Sequence, residues 1–315
     1  MNHDLFAARA AAALPADRLQ RHAPLAPLTT FNVGGPADWL VDVRTVDELT
    51  AVLAAARDAL PVTVLGGGSN VLVADAGVRG VVLRVQFRDI AQTASDRVRA
   101  GGGVTVNGLV RWTISHGLAG IEAWAGTPGT VGGAIYGNAH FQGRDISELL
   151  AAVHVCAPDG RTATIAAPDM GFAYDTSRLS ATREIVVWAE FVVSRGEPDA
   201  LRATARASLA YRKRTQPLAM PTAGCIFQNP DPARDRLPRD VPASAGALID
   251  RAGYKGQRIG RAAISPHHAN FIVNDGGARA ADVRALIEEA RRAVRDRFGI
   301  DLRLEVVLLG DWPGT

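Results

Sequence analysis

The sequence predicts an α+β protein of two or three domains. At 315 residues the chain is longer than the roughly 250–300 residues at which a single hydrophobic core stops growing. Apolar residues recur at helical intervals in some segments and form short β-branched runs in others. Two glycine-rich loops, at residues 66–70 and 126–133, each follow a short apolar run. Short strands that end in glycine loops, interspersed with amphipathic helices, favour this mixed class.

The first predicted elements lead into the loop at residues 66–70. Thr45 and Glu48 have the spacing of a capping box, and apolar residues follow at helical intervals, so we predict a helix over 46–60. The β-branched run that comes next runs straight into the glycines, which places this loop at the end of a strand. Short strands are predicted at residues 62–65, 71–73 and 80–83.

Glycine-interrupted strands follow from about residue 85, with a helix predicted at 105–116. The polar segment 194–198 precedes another helical pattern over 199–211, which indicates a boundary there. The predicted parts are therefore residues 1–84, 85–198 and 199–315. In the last part, apolar spacing from residue 283 predicts a helix that ends at Gly299. A final strand is expected at 302–309, with Glu305 on the face opposite Leu304 and with a possible return to the first part.

Composition excludes several classes of function. The 35 Lys and Arg residues nearly balance the 32 Asp and Glu residues, so a nucleic-acid partner is not expected. The two cysteines, Cys156 and Cys225, are far apart and predict neither a disulfide framework nor a metal site. A reducing cytoplasm fits this usage. The N-terminus lacks a basic signal region, and no apolar run approaches the roughly 20 residues that span a bilayer, so we expect a soluble protein without a membrane partner.

The two glycine loops are candidate phosphate sites. Glycine lets the backbone come close to a phosphate and turn successive amide N–H groups toward its oxygens. Neither loop has the G-x-G-x-x-G pattern of dinucleotide-binding folds, and the sequence contains no nucleotide-triphosphate P-loop. Either loop alone is as well explained by tight turns. Basic clusters at 212–214 and 251–261 mark either a patch for a small anion or a solvated face.

Several motifs stand in a characteristic order and spacing: residues 30–37, 66–70, 125–138, 224–230 and Glu305. Together they resemble one family, the UDP-N-acetylenolpyruvoylglucosamine reductases, and residues 248–260 and 268–271 also resemble its substrate domain. The resemblance runs from about residue 25 to residue 310, and the extra tyrosine-bearing insertion of one branch has no counterpart here, so the chain resembles the shorter branch.

The resemblance implies non-covalently bound FAD in a two-part domain of the vanillyl-alcohol-oxidase (PCMH) type, followed by a C-terminal α+β substrate-binding domain. It implies NADPH as co-substrate and UDP-N-acetylglucosamine enolpyruvate as substrate, reduced to the peptidoglycan precursor UDP-N-acetylmuramate. The residues that it assigns to FAD are Gly66, Gly67, Gly68, Ser69, Asn70, Gly126, Thr127, Pro128, Gly132 and Asn138. Those that it assigns to the substrate are Tyr174, Arg212, Arg214, Gln228, Asn229, Lys255 and His268.

The chemistry implied by the resemblance assigns roles to two residues. A hydride passes from flavin N5 to C3 of the enolpyruvyl group, Cys225 gives a proton to C2, and Glu305 stabilises the enolate. A thiol with a reference pKa of about 8.5 is mostly protonated at neutral pH and therefore suits a proton donor. A carboxyl group in an apolar strand has a raised pKa, which suits Glu305. The competing interpretations are a small buried cysteine and a glutamate paired with an arginine such as Arg303.

One position departs from the family pattern. Asp175 follows Tyr174, where the family places a catalytic arginine that holds the carboxylate and enolate. Two like charges about 4 Å apart cost on the order of 4 kcal/mol at an effective dielectric constant of 20, so an ionised aspartate there opposes the reaction. Either Arg178 or Arg212 supplies the cation, with Arg178 as the predicted catalytic residue, or activity is reduced.

Two other functions remain open on the sequence. The first is a flavin oxidoreductase of the same fold that acts on another small substrate, which the motifs around Cys225 and Glu305 disfavour. The second is a non-catalytic protein that binds flavin or a nucleotide sugar, for which Asp175 is the motive. The oligomeric state is not predicted.

Overall fold

The computed structural model describes residues 2–312. The α-helices are α1 (Asn2–Ala11), α2 (Val46–Ala56), α3 (Val106–Ser115), α4 (Val131–Tyr136), α5 (Leu179–Thr182), α6 (Pro198–Thr215), α7 (Ala245–Arg251) and α8 (Ala280–Phe298). Short 3-10 helices lie at Ala16–Arg18, Ala26–Leu28, Glu122–Trp124, Ile146–Leu149 and Ala167–Met170.

The strands are short, as the glycine-interrupted sequence predicts. They are β1 (Leu19–Pro24), β2 (Pro36–Val43), β3 (Val62–Val64), β4 (Val71–Val73), β5 (Val78–Val85), β6 (Ile90–Ala94), β7 (Arg97–Gly101), β8 (Leu118–Ala119), β9 (His140–Phe141), β10 (Arg144–Asp145), β11 (Leu150–Cys156), β12 (Thr162–Ala166), β13 (Ile185–Val192), β14 (Ser194–Arg195), β15 (Arg258–Ile259), β16 (Ala262–Ile264), β17 (Ile272–Asn274) and β18 (Val307–Leu309).

By their internal contacts the residues form two compact units. Of the described residues, unit 1 comprises 2–23, 38–67 and 79–211, and unit 2 comprises 24–37, 68–78 and 212–312. Each unit thus contains segments that are far apart in the sequence. The first glycine loop is divided between them, with residues 66 and 67 in unit 1 and residues 68–70 in unit 2.

Unit 1 contains two larger sheets, besides the two-stranded pairs β9-β10 and β8-β14. One has the strand order β1-β2-β5-β3, with β3 parallel to β5, and its core includes α1 and α2. The other has the order β12-β11-β13-β7-β6, with antiparallel neighbours, and packs with α3 and α4. Helix α2 begins where the capping signal predicts, since the Thr45 hydroxyl accepts a hydrogen bond from the Glu48 amide (3.2 Å), although α2 ends four residues before residue 60.

Helix α6 packs in unit 1. Its Leu201 and Ala205 are buried in the core of the five-stranded sheet, and the Ser208 hydroxyl donates to the carbonyl oxygen of Ala123 at 2.6 Å. The sequence-based division begins the third part at residue 199, whereas these contacts group residues up to 211 with the preceding sheet. A polar segment such as 194–198 marks a turn, but burial of the next apolar face determines which core the helix joins.

Unit 2 packs α7 and α8 with the antiparallel sheet β15-β16-β17. Gly299 ends α8 as predicted, with a φ of 70°, a left-handed conformation that glycine adopts without penalty. The residues whose spacing predicts α8 are buried in this core: Val283, Leu286, Ile287, Ala290 and Val294.

The predicted final strand is wrong in extent. Only Val307–Leu309 form a strand, β18, which pairs in parallel with β4 of the same unit. The preceding residues are extended but irregular, and Leu304 forms an isolated bridge with Phe227. The alternation that predicts the strand is present in part: Leu302 and Val306 are buried and Arg303 is exposed, whereas Leu304 and Glu305 are both partly buried. Side-chain alternation needs extended backbone but not a continuous partner strand.

No helix within residues 2–312 has both the length and the apolar character needed to cross a membrane.

The first turn of α8 is held by a side chain from a distant segment, and this contact gives a testable prediction. The Asp75 carboxylate accepts hydrogen bonds from the amides of Ala280 and Ala281, each at 2.9 Å. We expect Asp75→Ala to lower the free energy of unfolding of unit 2 by about 1 kcal/mol, because two helix-terminal amides lose their acceptor. Chemical denaturation followed by circular dichroism measures this. Asp75→Asn, which keeps one acceptor oxygen, should lose less, and the exposed Asp296→Ala should lose almost nothing; equal losses in all three would contradict the assignment.

Candidate active site

The two glycine loops meet within unit 1. A Cβ atom on Gly67 would lie 2.5 Å from the Cα atom of Gly129, and one on Gly66 would lie 3.0 Å from the Thr130 hydroxyl oxygen. Real Cβ atoms do not approach backbone that closely, so Gly67 permits this contact because it lacks a side chain. The two motifs that sequence reasoning singled out are therefore in contact.

The first loop has amide groups available for an anion. Leu65 is the last residue before the loop with a sheet hydrogen bond, from its amide to the carbonyl oxygen of Leu83 (2.9 Å). Within residues 2–312, none of the amides of residues 66–70 donates a hydrogen bond to another protein group. Gly66 and Gly67 are also exposed. Successive backbone N–H groups that have no protein acceptor can bind phosphate oxygens.

The unit 2 end of this loop is fixed by its carbonyl groups. The Gly68 carbonyl oxygen accepts a hydrogen bond from the Thr30 amide at 2.9 Å, and the Asn70 carbonyl oxygen accepts one from the Val307 amide at 3.0 Å. Gly68 has a φ of 63°, and a Cβ atom there would lie 2.1 Å from the carbonyl oxygen of Leu28. Ser69, between them, is partly buried. The loop is thus held by its acceptors while its donors are left for a ligand.

The second loop is held by Asn107, a residue that sequence reasoning missed. Its side-chain oxygen accepts from the Gly126 amide at 2.7 Å, and its side-chain nitrogen donates to the Thr127 carbonyl oxygen at 3.0 Å. Thr127 is buried, whereas Pro128 is exposed. A lone asparagine in helix α3 gives no local signal of this role, because its partners lie about 20 residues away.

Two further predicted cofactor residues follow this loop. The Gly132 amide donates to the Gly102 carbonyl oxygen at 2.9 Å, and the buried Asn138 directs its side-chain nitrogen to the Ala173 carbonyl oxygen (3.0 Å) and to Asp145 (3.3 Å). Asn138 is therefore engaged with the protein on its donor side. Its contact with FAD stays a prediction.

Cys225 and Glu305 lie on adjoining segments of unit 2. The Glu305 amide donates to the carbonyl oxygen of Ile226 at 2.9 Å, and the Gln228 amide donates to that of Arg303 at 2.9 Å. Both Cys225 and Glu305 are partly buried. The backbone of Glu305 is thus hydrogen-bonded to Ile226, the residue that follows Cys225. This contact brings the predicted proton donor and the residue predicted to stabilise the enolate onto adjoining segments.

The cysteine segment is fixed on its other side by Asn270. This buried side chain accepts from the Phe227 amide at 2.9 Å and donates to the Phe227 carbonyl oxygen at 2.8 Å, and Cys225 itself forms an isolated bridge with Phe271. An amide side chain that bonds both backbone groups of one residue replaces a strand neighbour. Asn270 lies in a segment that carries the family resemblance, but nothing in the local sequence indicates this role.

The first glycine loop joins the same cluster through Asn70. Its side-chain nitrogen donates to the carbonyl oxygen of Glu305 at 3.1 Å. Because the Asn70 carbonyl oxygen also receives the Val307 amide, two hydrogen bonds link the loop end to the segment that carries Glu305. Unit 2 therefore brings Asn70, Cys225 and Glu305 together from three distant parts of the chain.

The segment that departs from the family pattern has its charges paired. The Arg178 guanidinium donates to both oxygens of Glu184, at 3.0 and 3.3 Å. Asp175, at a φ of 55°, contacts the imidazole Nδ1 of His140 at 3.2 Å. Tyr174 is exposed and its ring centroid lies 5.2 Å from that of His140. The structure pairs the predicted catalytic Arg178 with a carboxylate, and its catalytic role stays a prediction.

Two predicted substrate residues of unit 2 have environments that lower their pKa values. Arg212 is buried, and the cost of burying its charge lowers the pKa of its guanidinium to about 10. Burial also lowers the pKa of His268, with smaller contributions from the positive charges of His267 and Lys255. The His268 Nδ1 atom accepts from the Asn270 amide at 3.2 Å, which places a proton on Nε2 in the neutral ring.

The remaining predicted substrate residues are also held in unit 2. The Asn229 side-chain oxygen accepts from the Ala245 amide at 3.1 Å, at the start of α7. Lys255 pairs with Asp250 at 3.0 Å, and the carbonyl oxygen of Arg214 contacts the His267 Nε2 atom at 2.7 Å. Gln228 is partly buried next to Asn229.

Comparison with known proteins identifies the family. A family model described as the UDP-N-acetylenolpyruvoylglucosamine reductase C-terminal domain matches residues 216–309, and one described as an FAD-binding domain matches residues 37–166. UDP-N-acetylenolpyruvoylglucosamine reductase 2 of Symbiobacterium thermophilum is 42% identical over 299 residues, which cover 94% of each chain. The chain belongs to the UDP-N-acetylenolpyruvoylglucosamine reductase family.

Other members support this assignment and the predicted α+β fold class. The UDP-N-acetylenolpyruvoylglucosamine reductase of Bacillus subtilis is 39% identical over 290 residues, covering 91% of this chain and 92% of the relative. The crystal structure of the reductase (MurB) from Thermus caldophilus matches with a TM-score of 0.77 and 35% identity, covering 93% of this chain and 99% of that chain. The predicted resemblance, with an FAD-binding part and a C-terminal domain, is confirmed.

The residues present fit an FAD pyrophosphate. The loop at residues 66–70 offers successive amide donors, and the contact of Gly67 with Gly129 leaves no room for side chains between the loops. Among the described residues, 2–312, there is no group of three or more His, Cys, Asp and Glu side chains placed to hold a metal ion.

The close contact between the loops predicts a loss of flavin on adding one methyl group. In Gly67→Ala the new Cβ atom meets backbone at 2.5 Å, so the loops must move apart, and we expect FAD affinity to fall at least tenfold. The ratio of flavin to protein absorbance after gel filtration, and titration of the apoprotein with FAD, measure this. Gly137→Ala is the matched control, because its Cβ atom would lie 3.9 Å from the nearest atom. Full retention of flavin by Gly67→Ala would contradict the predicted cradle.

The lowered pKa of His268 predicts acid sensitivity. In the folded protein the neutral imidazole is favoured, so the unfolded chain binds more protons below the ordinary histidine pKa of about 6.5. The free energy of unfolding should therefore decrease as pH falls below about 6.5, by at most about 1.4 kcal/mol per pH unit from this group. Urea titrations between pH 5 and pH 7.5 test this. His268→Asn should flatten the dependence while the exposed His22→Asn leaves it unchanged, and an unaltered slope in His268→Asn would refute the assignment.

Proposed function

We propose that this protein uses NADPH and bound FAD to reduce UDP-N-acetylglucosamine enolpyruvate to UDP-N-acetylmuramate, a precursor of peptidoglycan. One observation supports the proposal most directly: two hydrogen bonds connect the segments of Cys225, Glu305 and Asn70. The Glu305 amide donates to the carbonyl oxygen of Ile226, next to Cys225, and the Asn70 side chain donates to the carbonyl oxygen of Glu305. The relatives named above are UDP-N-acetylenolpyruvoylglucosamine reductases, and the matches cover nearly their whole length. We place the reaction in the cytoplasm, where a reducing environment keeps Cys225 as a thiol.

The cofactor site in this proposal consists of the two glycine loops. Residues 66–70 hold the pyrophosphate through their amides. The flavin and its linker are lined by Gly126, Thr127, Pro128, Gly132 and Asn138. The chemistry that FAD supplies when bound is the transfer of two electrons from NADPH to the enolpyruvyl double bond. The chain itself must bind and orient both substrates in turn and supply the proton.

Cys225 supplies the proton in this proposal. Reduction adds a hydride at C3 and a proton at C2, so the Cys225 Sγ–H bond breaks as a C2–H bond forms, and water reprotonates the thiolate. A thiol with a reference pKa of about 8.5 gives up a proton more readily than a hydroxyl group does. The bridge to Phe271 and the Asn270 hydrogen bonds to Phe227 fix the backbone on both sides of this donor.

Glu305 acts on the charge that develops at C2 and on the substrate carboxylate. Two hydrogen bonds hold its backbone: its amide donates to the carbonyl oxygen of Ile226, and its carbonyl oxygen accepts from the Asn70 side chain. The backbone position from which the Glu305 side chain extends is therefore fixed. A protonated carboxyl group can donate a hydrogen bond to an enolate, whereas an ionised one would repel it.

The substrate residues of the proposal differ in how available they are. Arg212 is buried with a guanidinium that remains charged at neutral pH, which suits an anionic diphosphate. Tyr174 is exposed and suits stacking on the substrate or the nicotinamide. Arg214, Gln228, Asn229, Lys255 and His268 complete the proposed set.

The pairing of Arg178 with Glu184 favours a second candidate, a protein that binds flavin or a nucleotide sugar without turnover. Stopped-flow spectroscopy separates the two. We expect NADPH to bleach the flavin anaerobically and UDP-N-acetylglucosamine enolpyruvate to restore its absorbance. A bleached flavin that does not respond to this substrate would reject the reductase, and a flavin that NADPH does not bleach would favour the binding protein.

Substitution of Cys225 tests its role in the second half-reaction. We expect Cys225→Ala to be bleached by NADPH at a normal rate but to be reoxidised by the substrate at least 100-fold more slowly, because C2 lacks a proton donor. Cys225→Ser, which keeps an O–H donor, should recover part of the rate, and Cys156→Ala in unit 1 serves as the thiol control. Normal reoxidation of Cys225→Ala would remove Cys225 as the donor.

A further inference from the structure

A buried asparagine, far along the chain from the glycine loops, holds the segment that is hydrogen-bonded to Gly68. Asn274 is the last residue of β17 and is only 4% exposed. Its side-chain nitrogen donates to the carbonyl oxygens of Phe31 (3.0 Å) and Asn32 (3.4 Å), and its side-chain oxygen accepts from the Ala278 amide at 3.0 Å. Both hydrogens of this side-chain amide are therefore given to backbone groups of one distant segment.

The segment that Asn274 holds is a tight turn, residues 29–32. The Asn32 amide donates to the Thr29 carbonyl oxygen at 3.2 Å, and Asn32 has a φ of 53°, in the left-handed region. The carbonyl groups of Phe31 and Asn32 are both directed at the same side-chain nitrogen. A left-handed residue is less favourable than a right-handed one even when it is asparagine, so the two hydrogen bonds from Asn274 stabilise this turn.

The turn in its own right fixes one peptide group of the first glycine loop. The Thr30 amide donates to the Gly68 carbonyl oxygen at 2.9 Å, and the Thr30 hydroxyl donates to the same oxygen at 3.3 Å. The peptide bonds within residues 2–312 are all trans, and in a trans peptide the N–H points opposite to the C=O. The Ser69 amide therefore points away from Thr30. Among residues 2–312 it has no protein acceptor.

Gly68 is the reason that this peptide group needs to be held. Its φ is 63°, and a Cβ atom there would lie 2.1 Å from the carbonyl oxygen of Leu28. Glycine adopts a wider range of backbone angles than any other residue, so the peptide group between Gly68 and Ser69 could rotate if its carbonyl oxygen were not bound. The hydrogen bonds from Thr30 remove this freedom. An N–H group that already has its binding orientation loses less entropy when a ligand arrives.

We propose that Asn274 is a positioning residue for FAD: through the turn at 29–32 it holds the Ser69 amide in the orientation that donates to a pyrophosphate oxygen. The inference rests on the part of the proposed function that assigns residues 66–70 to the pyrophosphate. Asn274 does not itself contact the cofactor. Every residue in this series of contacts belongs to unit 2.

Titration of the apoprotein with FAD tests the inference. Asn274→Asp keeps an acceptor for the Ala278 amide but places an oxygen, instead of a donor, against two carbonyl groups. We expect the Kd for FAD to rise about tenfold, the size of effect that follows from weakening one hydrogen bond to a charged group. Thr30→Val removes the hydroxyl and keeps the amide, so it should raise the Kd by a smaller factor, about twofold to threefold.

Thr222→Val is the matched control in the same unit. Its hydroxyl donates to the carbonyl oxygen of Ile272 at 2.7 Å, so this side chain is bonded to β17 but not to the turn at 29–32. The Kd for FAD should stay at the wild-type value. A loss equal to that of Asn274→Asp would show that any damage near β17 weakens FAD, and would overturn the inference.

The Ser69 amide resonance is a readout that a merely structural role would not move. In the wild type we expect this resonance to shift on addition of FAD and its hydrogen exchange to slow, because the N–H group acquires a charged acceptor. In Asn274→Asp saturated with FAD the shift should be smaller than in the wild type. A variant that was only less stable would reach the wild-type shift at saturation, so that result would also overturn the inference.

The remaining outcomes separate this inference from the assignment on which it rests. A wild-type Kd in Asn274→Asp would contradict the role of Asn274. If Asn274→Asp does not fold, Thr30→Val decides, since an unchanged Kd and an unchanged Ser69 shift in that variant would contradict the inference. A Ser69 resonance that ignores FAD in the wild type would also refute it. Full retention of flavin by Gly67→Ala would instead reject the loop as the pyrophosphate site, and the two failures are thus distinguishable.

Discussion

The extended segment 303–309 is the element on which the proposed chemistry in unit 2 depends. It is hydrogen-bonded to residues 226–228 at its start and to residues 70–73 at its end. The first partner adjoins Cys225, the proposed proton donor, and the second includes Asn70. One stretch of backbone therefore holds this thiol, the Glu305 carboxyl group and the end of the glycine loop in register. Backbone hydrogen bonds fix such spacing more rigidly than contacts between long side chains do. Residues 303–306 pair irregularly with their neighbours, and Glu305 within them is partly exposed.

Glycine serves a different purpose in each unit. In unit 1, Gly67 allows two backbones to come into contact, and in unit 2, Gly68 adopts a left-handed conformation against the carbonyl oxygen of Leu28. Gly67 is required because a side chain would not fit, whereas Gly68 is required both for space and for its left-handed conformation. Among the described residues 2–312, the amides of residues 66–70 have no protein acceptor, and such amides can bind a phosphate.

Asparagine side chains hold much of the site in place. Asn107, Asn138 and Asn270 each bond backbone groups of segments distant in the sequence. Asn70 does the same for Glu305. An asparagine offers a donor and an acceptor at fixed spacing, so it can replace a missing strand neighbour in irregular backbone. These contacts explain how loops with little regular secondary structure can position reactive groups.

The sequence did not identify which residue supplies the positive charge that the family's arginine provides. The ion pairs seen in the structure explain why. Arg178 has the right charge and lies near Tyr174 in the sequence, but its Nε and Nη2 groups donate to the two carboxylate oxygens of Glu184 in the structure. His140 is 35 residues from Asp175, and no pattern in either segment connects them. Spacing along the chain predicts which residues are neighbours within a helix or strand, whereas an ion pair between loops depends on how the loops pack.

The sequence by itself determined the element types, the strand before the first glycine loop, the helix that ends at Gly299 and the family. Each of these follows from local periodicity, from glycine at required positions or from the order of short motifs. Only the tertiary structure decided that α6 joins the core of unit 1, that the last strand shortens to Val307–Leu309 and that Asp175 pairs with His140. Those outcomes depend on contacts between residues that are far apart in the sequence, where burial and hydrogen-bond geometry select one partner among many and no local pattern records the choice.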